Sequence, residues 1–346
     1  MNRVITFSAA LISVTLIGYL LMAGRGFLLP WIMALFIWNL LNTLNSSIQH
    51  IPWIGKYLPT SVSMLFSLLV VVGLIWELVH IVTNNVNEVL HASARYQESF
   101  KHLLGQMNQT LLAKFMSNLD RFIDELNIQK ILVNVYGGFT SVASSAFLIT
   151  IYVVFLFIEQ SVFSAKIKLL VPSQQQRKIM NELIARTLRD TQTYLGLKTL
   201  MGLLTAFASW GIMNWIGLDF AEFWALLIFF LNYIPNIGSI IATLFPALLA
   251  LIQFQSWFPF IAMTSGLVAV QFVLGTLIEP RFLGRSLNLS PLVILFALGL
   301  WGVIWGVVGM FLSVPITVMM IIIFAHFPAT RPIAIMLSKD GHVEMK

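Results

Sequence analysis

The sequence predicts an all-α, polytopic integral membrane protein, with about eight membrane segments and a small helical extramembrane module. Three observations carry this. Only 10% of residues are charged, against 58% hydrophobic, and mean hydropathy is +0.88; an ordinary soluble domain is about 25% charged. Apolar runs of spanning length, about 20 residues, recur along the chain. In the C-terminal half these runs are interrupted by Pro, Gly and Asn, so re-entrant or broken helices are expected there.

The first run, 4–22, follows Met1-Asn2-Arg3 and is longer than the roughly 7–15 apolar residues of a signal peptide. It reads as a retained span. Further spans are expected at 27–44, 58–82, 136–158, 199–217 and 257–278, with a final pair at 291–308 and 309–327. Region 222–253 is broken at 232–239. Its first arm has about 12 residues, or roughly 18 Å at 1.5 Å each, short of a hydrocarbon core of about 30 Å. A re-entrant hairpin with its tip at 232–239 is the expectation; two short tilted spans are the alternative. In the final pair Gly299, Gly302, Gly306 and Gly309 crowd the middle, and Gly302 with Gly306 has the GxxxG spacing of close helix packing.

Two stretches are polar enough to leave the membrane. In 83–135 five basic and five acidic residues cancel, and Leu104, Met107, Leu111, Phe115, Leu119, Phe122 and Leu126 recur at helical steps. In 159–198, seven basic residues against three acidic leave +4. Ser173 and Gln176 are spaced as a capping box there, so a helix is expected from about Gln174 into the span at 199. Lys and Arg favour cytoplasmic loops. That rule puts 159–198 and both termini in the cytoplasm and 83–135 in the periplasm, with Arg25 the one exception. The organisation is then 1–82 N-terminal spans, 83–135 periplasmic module, 136–158 span, 159–198 basic cytoplasmic linker, 199–327 transport region and 328–346 cytoplasmic tail.

Enzyme chemistry finds no footing. The chain has no Cys, and its six His are scattered without ligand spacing. No P-loop is present: Gly196-Leu197-Lys198-Thr199 imitates its tail but lacks the upstream Gly. There is no H-E-x-x-H, and no Asp lies in an expected span. No catalytic residue, metal or cofactor is expected. The +6 net charge reflects topology and not nucleic-acid binding.

Two constellations remain. Asn232, Pro235, Asn236, Gly238 and Ser239 form a polar break between apolar runs. Such breaks hold solute in transporters; an ordinary helix–helix turn is the plainer reading. Asn amides offer both donor and acceptor, which suits a neutral or zwitterionic solute. The second group is Glu279, Arg281 and Arg285, after Gln271 in the preceding run. Its plain reading is an interfacial anchor with snorkelling Arg; the functional one is a gate or proton-coupling group in which Glu279 pairs with an Arg. Lys198 and Thr199 open a span after Tyr194; a contact with the cytoplasmic mouth is one reading and a plain interface role the simpler one, while Asp219 and Glu222 read as solvated.

The stretches 231–239 (LNYIPNIGS), 279–290 (EPRFLGRSLNLS) and 309–317 (GMFLSVPIT), in this order and spacing, resemble the autoinducer-2 exporter family of bacterial inner-membrane proteins. The resemblance covers nearly the whole chain and is strongest from about residue 190. It implies efflux of a small polar solute, the quorum-sensing signal autoinducer-2, with effects on biofilm formation. It also implies a homo-oligomer, a pentamer, embedded in the lipid bilayer and working by an elevator-like movement. Other members are assigned sodium–proton antiport, which stays open as an alternative, as does a non-transporting membrane scaffold.

Overall fold

The computed structural model describes residues 3–49, 144–171, 173–283 and 289–341, with six scattered positions between 62 and 137. Apart from five of those scattered positions, the expected span at 58–82 lies outside the described residues, as do the module 83–135 and Arg285. All regular structure among the described residues is helical. Five of these helical stretches are long and apolar enough to cross a membrane: Arg25–Ser46, Gln174–Ile216, Ile237–Phe254, Trp257–Phe282 and Pro291–Ala325. The chain divides into two compact units. One gathers Met1–Ser67, Ser141–Leu195 and Asn288–Lys346; the other gathers Leu68–Thr140 and Gly196–Leu287.

In the first unit α1 (Arg3–Ala23) and α2 (Arg25–Gln49) meet at Gly24. Helix α3 (Ala146–Leu170) packs along α2. The rings of Phe27 and Tyr152 meet edge to face, and Trp38 Nε1 donates to Gln160 Oε1 at 3.1 Å, so the two helices run the same way. α3 does not stop at Ile158, where the apolar run ends, but continues through the first part of the basic stretch to Leu170. A short break follows before α4 (Gln174–Ile216). α4 starts at the expected residue: the Gln176 N–H points to Ser173 Oγ at 3.5 Å, a long and weak cap, while Arg177 N–H bonds the Ser173 carbonyl at 2.9 Å. Its 43 residues extend about 64 Å at 1.5 Å per residue, twice a hydrocarbon core. Only its C-terminal half is apolar.

The second unit starts within α4, at Gly196. After a turn at 217–220 come α5 (Ala221–Leu231), a break at 232–236 and α6 (Ile237–Phe254), which form a helical hairpin. Helix α7 (Trp257–Val270) packs on α6 and passes without interruption into a π-helix, Gln271–Ile278, and then α8 (Glu279–Leu283). Side-chain contacts fix the register. Trp210 and Glu222, Gly202 and Phe229, and Thr199 and Tyr233 face one another between α4 and α5. Gly266 faces Ile212, and Glu279 faces Lys198, between α4 and the α7–π path. α4 is therefore antiparallel to both neighbours. At one end of the unit Gln253 ties the turn together, its Nε2 donating to the Gly217 carbonyl at 2.9 Å and its Oε1 accepting from Asp219 N–H at 2.9 Å. Asp219 and Glu222 are exposed there, as expected. The hairpin tip and the Lys198–Glu279 pair lie at the opposite end, about 25 Å away along α4.

The final pair belongs to the first unit as α9 (Pro291–His326), followed by α10 (Arg331–Leu337). Gly306 breaks α9 with φ 64° and ψ −143°, a backbone open essentially to glycine alone. The chain reverses there: a Cβ on Gly309 would sit 1.9 Å from the Trp301 carbonyl oxygen, eight residues earlier. So the Gly302/Gly306 spacing, read as close helix packing, sits at the reversal between the two arms expected at 291–308 and 309–327. Gly306 makes the turn and Gly309 lets the arms close. Trp301 and Trp305 anchor this hairpin against Leu21, Leu28, Leu29 and Ile32, and Trp305 Nε1 donates to the Leu21 carbonyl at 3.0 Å.

Candidate functional site

The break at 232–236 is built by its residue types. Pro235 has no N–H to continue a helix. Asn236 adopts φ 60° and ψ −55°, and Ile237 N–H bonds the Pro235 carbonyl at 2.6 Å across it. This is the rare γ-turn of positive φ. It is strained for any residue with a Cβ, and Asn tolerates it better than most. A Cβ on Gly238 would sit 1.8 Å from the Leu231 carbonyl oxygen. Gly238 thus lets the two arms touch backbone to backbone. Glycine here permits the reversal, and the space beside it is taken by the chain itself.

The break separates the expected binding residues. Asn236 is exposed at the tip, and its carbonyl accepts from Ser239 Oγ at 2.9 Å. Pro235 is half-buried between them. Asn232 points the other way, into the unit. Its Nδ2 is buried and has no hydrogen-bond partner among the described residues. The neighbouring position on α4 is Gly202, where an added Cβ would lie 3.5 Å from that Nδ2 and 3.1 Å from the Phe229 ring. The absence of a side chain at Gly202 lets the Phe229 ring and the unpaired amide pack closely against α4. A buried polar group without a partner costs about 1–3 kcal/mol, so the fold carries a penalty here that a bound polar group would relieve.

At this end of the unit α4 carries two polar side chains, Lys198 and Thr199, each paired with a neighbouring element. Tyr233 is 1% exposed, and its hydroxyl lies 2.6 Å from Thr199 Oγ1. Lys198 Nζ donates to Glu279 Oε1 at 2.5 Å, with side chains only 8% and 13% exposed. Such a pair is held in low dielectric, where removing one charge strands the other. Glu279 therefore pairs across the unit with Lys198, not with its neighbour Arg281, which is exposed. Gln271 is half-buried at the first position of the π-helix, two turns before Glu279. Two further buried groups of the unit lack partners among the described residues, Ser209 Oγ and Trp224 Nε1. No group of three or more His, Asp or Glu able to hold a metal occurs among the described residues.

Sequence reasoning read Lys198 and Thr199 as plain interface residues and gave Tyr233 and Gly202 no role. The available signal was their spacing. Lys198 and Gly202, with Thr205 and Ser209 beyond them, follow one another at three and four residues along one face of an otherwise apolar helix, and all four are buried.

A multi-pass helical membrane protein, with a partly unpaired polar cluster under a helical hairpin, has the layout of a transporter. The comparison with known proteins agrees: the chain belongs to the AI-2E transporter family, whose model matches residues 9–329. It is 30% identical to the AI-2 transport protein TqsA of Escherichia coli (strain K12) over 318 residues, 90% of this chain and 89% of TqsA. It is 27% identical over 300 residues to the "Putative transport protein YhhT" of the same organism, covering 85% of this chain and 83% of YhhT.

Proposed function

We propose that this protein is a secondary transporter that exports a small polar solute across the bacterial inner membrane, and that autoinducer-2 is that solute. The observation that carries the site is the unpaired Asn232 Nδ2 beneath the hairpin tip. The cargo takes its support from the name of TqsA. In this reading the unpaired Asn232 amide binds the solute once the hairpin moves away from α4, where Gly202 now packs closely against Phe229 and Asn232, and the Asn236 turn closes the tip. The basic stretch lies in the cytoplasm, so the tip and the Lys198–Glu279 pair face the cytoplasmic side, where an exported solute enters. Breaking and remaking that pair accompanies the cycle. Sodium–proton antiport is less well supported: sodium takes oxygen ligands, and the carboxylate at this site is already neutralised by Lys198. The N-terminal helices, with their exposed apolar faces, serve lipid and a second copy of the chain in a homo-oligomer.

Uptake into vesicles is the test. Labelled autoinducer-2 is expected to accumulate in inverted vesicles bearing the protein and not in right-side-out ones. Sodium-driven proton movement without solute uptake would establish antiport, and neither activity would leave a scaffold.

A further inference from the structure

The helical path through Gln271–Ile278 is π-wound, and the residue that follows it by two is Pro280. In an α-helix the Pro280 ring would press on the Thr276 carbonyl, four residues back, and leave that carbonyl without its N–H partner. A π-helix bonds each N–H to the carbonyl five residues back. Glu279 N–H does so, donating to the Leu274 carbonyl. The wider winding moves the proline ring off the Thr276 carbonyl, so the π segment is the answer of this helix to Pro280.

The winding also decides which way Glu279 faces. A π-helix has about 4.4 residues per turn against 3.6 for an α-helix, so eight residues turn about 150° less. Wound as α, the same eight residues would aim Glu279 at the far side of its helix from α4. Wound as π, they place its carboxylate 2.5 Å from Lys198 Nζ.

We propose that Pro280 is a positioning residue: it holds 271–278 in π winding so that Glu279 reaches Lys198 at the solute site. The inference deepens the transport reading and rests on it for its role in the cycle, but the positioning itself is measurable without transport.

The experiment is a double-mutant cycle on the full-length protein in detergent, read as apparent Tm. Lys198→Met and Glu279→Gln are made singly and together, once in the wild type and once with Pro280→Ala. In the wild type the two changes should be strongly coupled, the double variant recovering about 5–10 °C over the sum of the singles. With Pro280→Ala the coupling should vanish and the two effects should add. Deleting Thr276 as well removes one residue of turn, which brings Glu279 back to within about 50° of its place. The coupling should then return.

Coupling in the Pro280→Ala background equal to that in the wild type overturns the proposal. If Pro280→Ala alone gives no folded protein, the Thr276 deletion in that background carries the test, and its failure to restore folding and coupling counts against the proposal. A protein that moves no solute, yet shows coupling dependent on Pro280, would overturn the transport reading and leave the positioning role standing.

Discussion

Gly238→Ala should prevent the first hairpin from closing. The added Cβ would lie 1.8 Å from the Leu231 carbonyl oxygen and 2.7 Å from its carbon. Both obstacles are backbone atoms, so no rotamer change makes room. The arms must separate, and Asn232, Tyr233 and the γ-turn at Asn236 move with them. Overpacking costs about 1–3 kcal/mol where side chains can adjust; here the cost is expected at or above the upper end. The measurement is monodisperse yield and apparent Tm after detergent extraction. Gly211→Ala is the control, because a Cβ there meets nothing within 4 Å. A Gly238→Ala protein as stable as that control would show that the arms do not touch.

The second large effect concerns Lys198 and Glu279. Removing one partner of a buried ion pair strands the other charge and costs about 3–5 kcal/mol. Lys198→Met and Glu279→Gln are each expected to lower stability by about that much, and the double variant to recover most of it, since no charge is then buried alone. The readout is the apparent Tm of the detergent-solubilised protein, compared at one scan rate because unfolding that is irreversible makes Tm depend on scan rate. Additive losses in the double variant, or no loss in either single one, would contradict the pairing.

How far the sequence discloses this architecture follows from the kind of signal each part carries. The break at 232–239 is legible because Pro, Gly and two Asn inside an apolar run leave backbone groups that hydrocarbon cannot satisfy. The start of α4 at Gln174 is legible from Ser173 and from the change from polar to apolar periodicity at about 199. The break in α9 is legible too, because its apolar run is long enough for two arms and Gly299, Gly302, Gly306 and Gly309 crowd its middle. Its exact place is not: Gly302 and Gly306 also have the spacing of a packing motif, and the close approach of Gly309 to Trp301 is what puts the reversal at Gly306. Lys198 is harder still. A single Lys at the start of an apolar run is what an interface looks like, and its partner lies 81 residues further on. Glu279 suggests Arg281 because that residue is near in sequence. The π-helix turns the carboxylate toward α4 instead, and winding of that kind leaves no hydrophobic pattern to read. Gly202 is one small residue among many in an apolar helix; its importance lies in what sits opposite, the Asn232 amide.

The most direct test of the account is transport by Asn232→Ala, normalised to folded protein by size-exclusion chromatography. Asn232 Nδ2 is buried without a partner, so the variant removes a donor that the resting fold does not use. Its stability is expected to match or exceed that of the wild type. A solute hydrogen bond lost at this position costs about 1–3 kcal/mol, so the concentration of labelled autoinducer-2 giving half-maximal uptake into inverted vesicles should rise about 5- to 150-fold. Wild-type rate and affinity in Asn232→Ala would mean that the amide beneath the hairpin tip does not touch the solute, and that the site lies elsewhere in the protein.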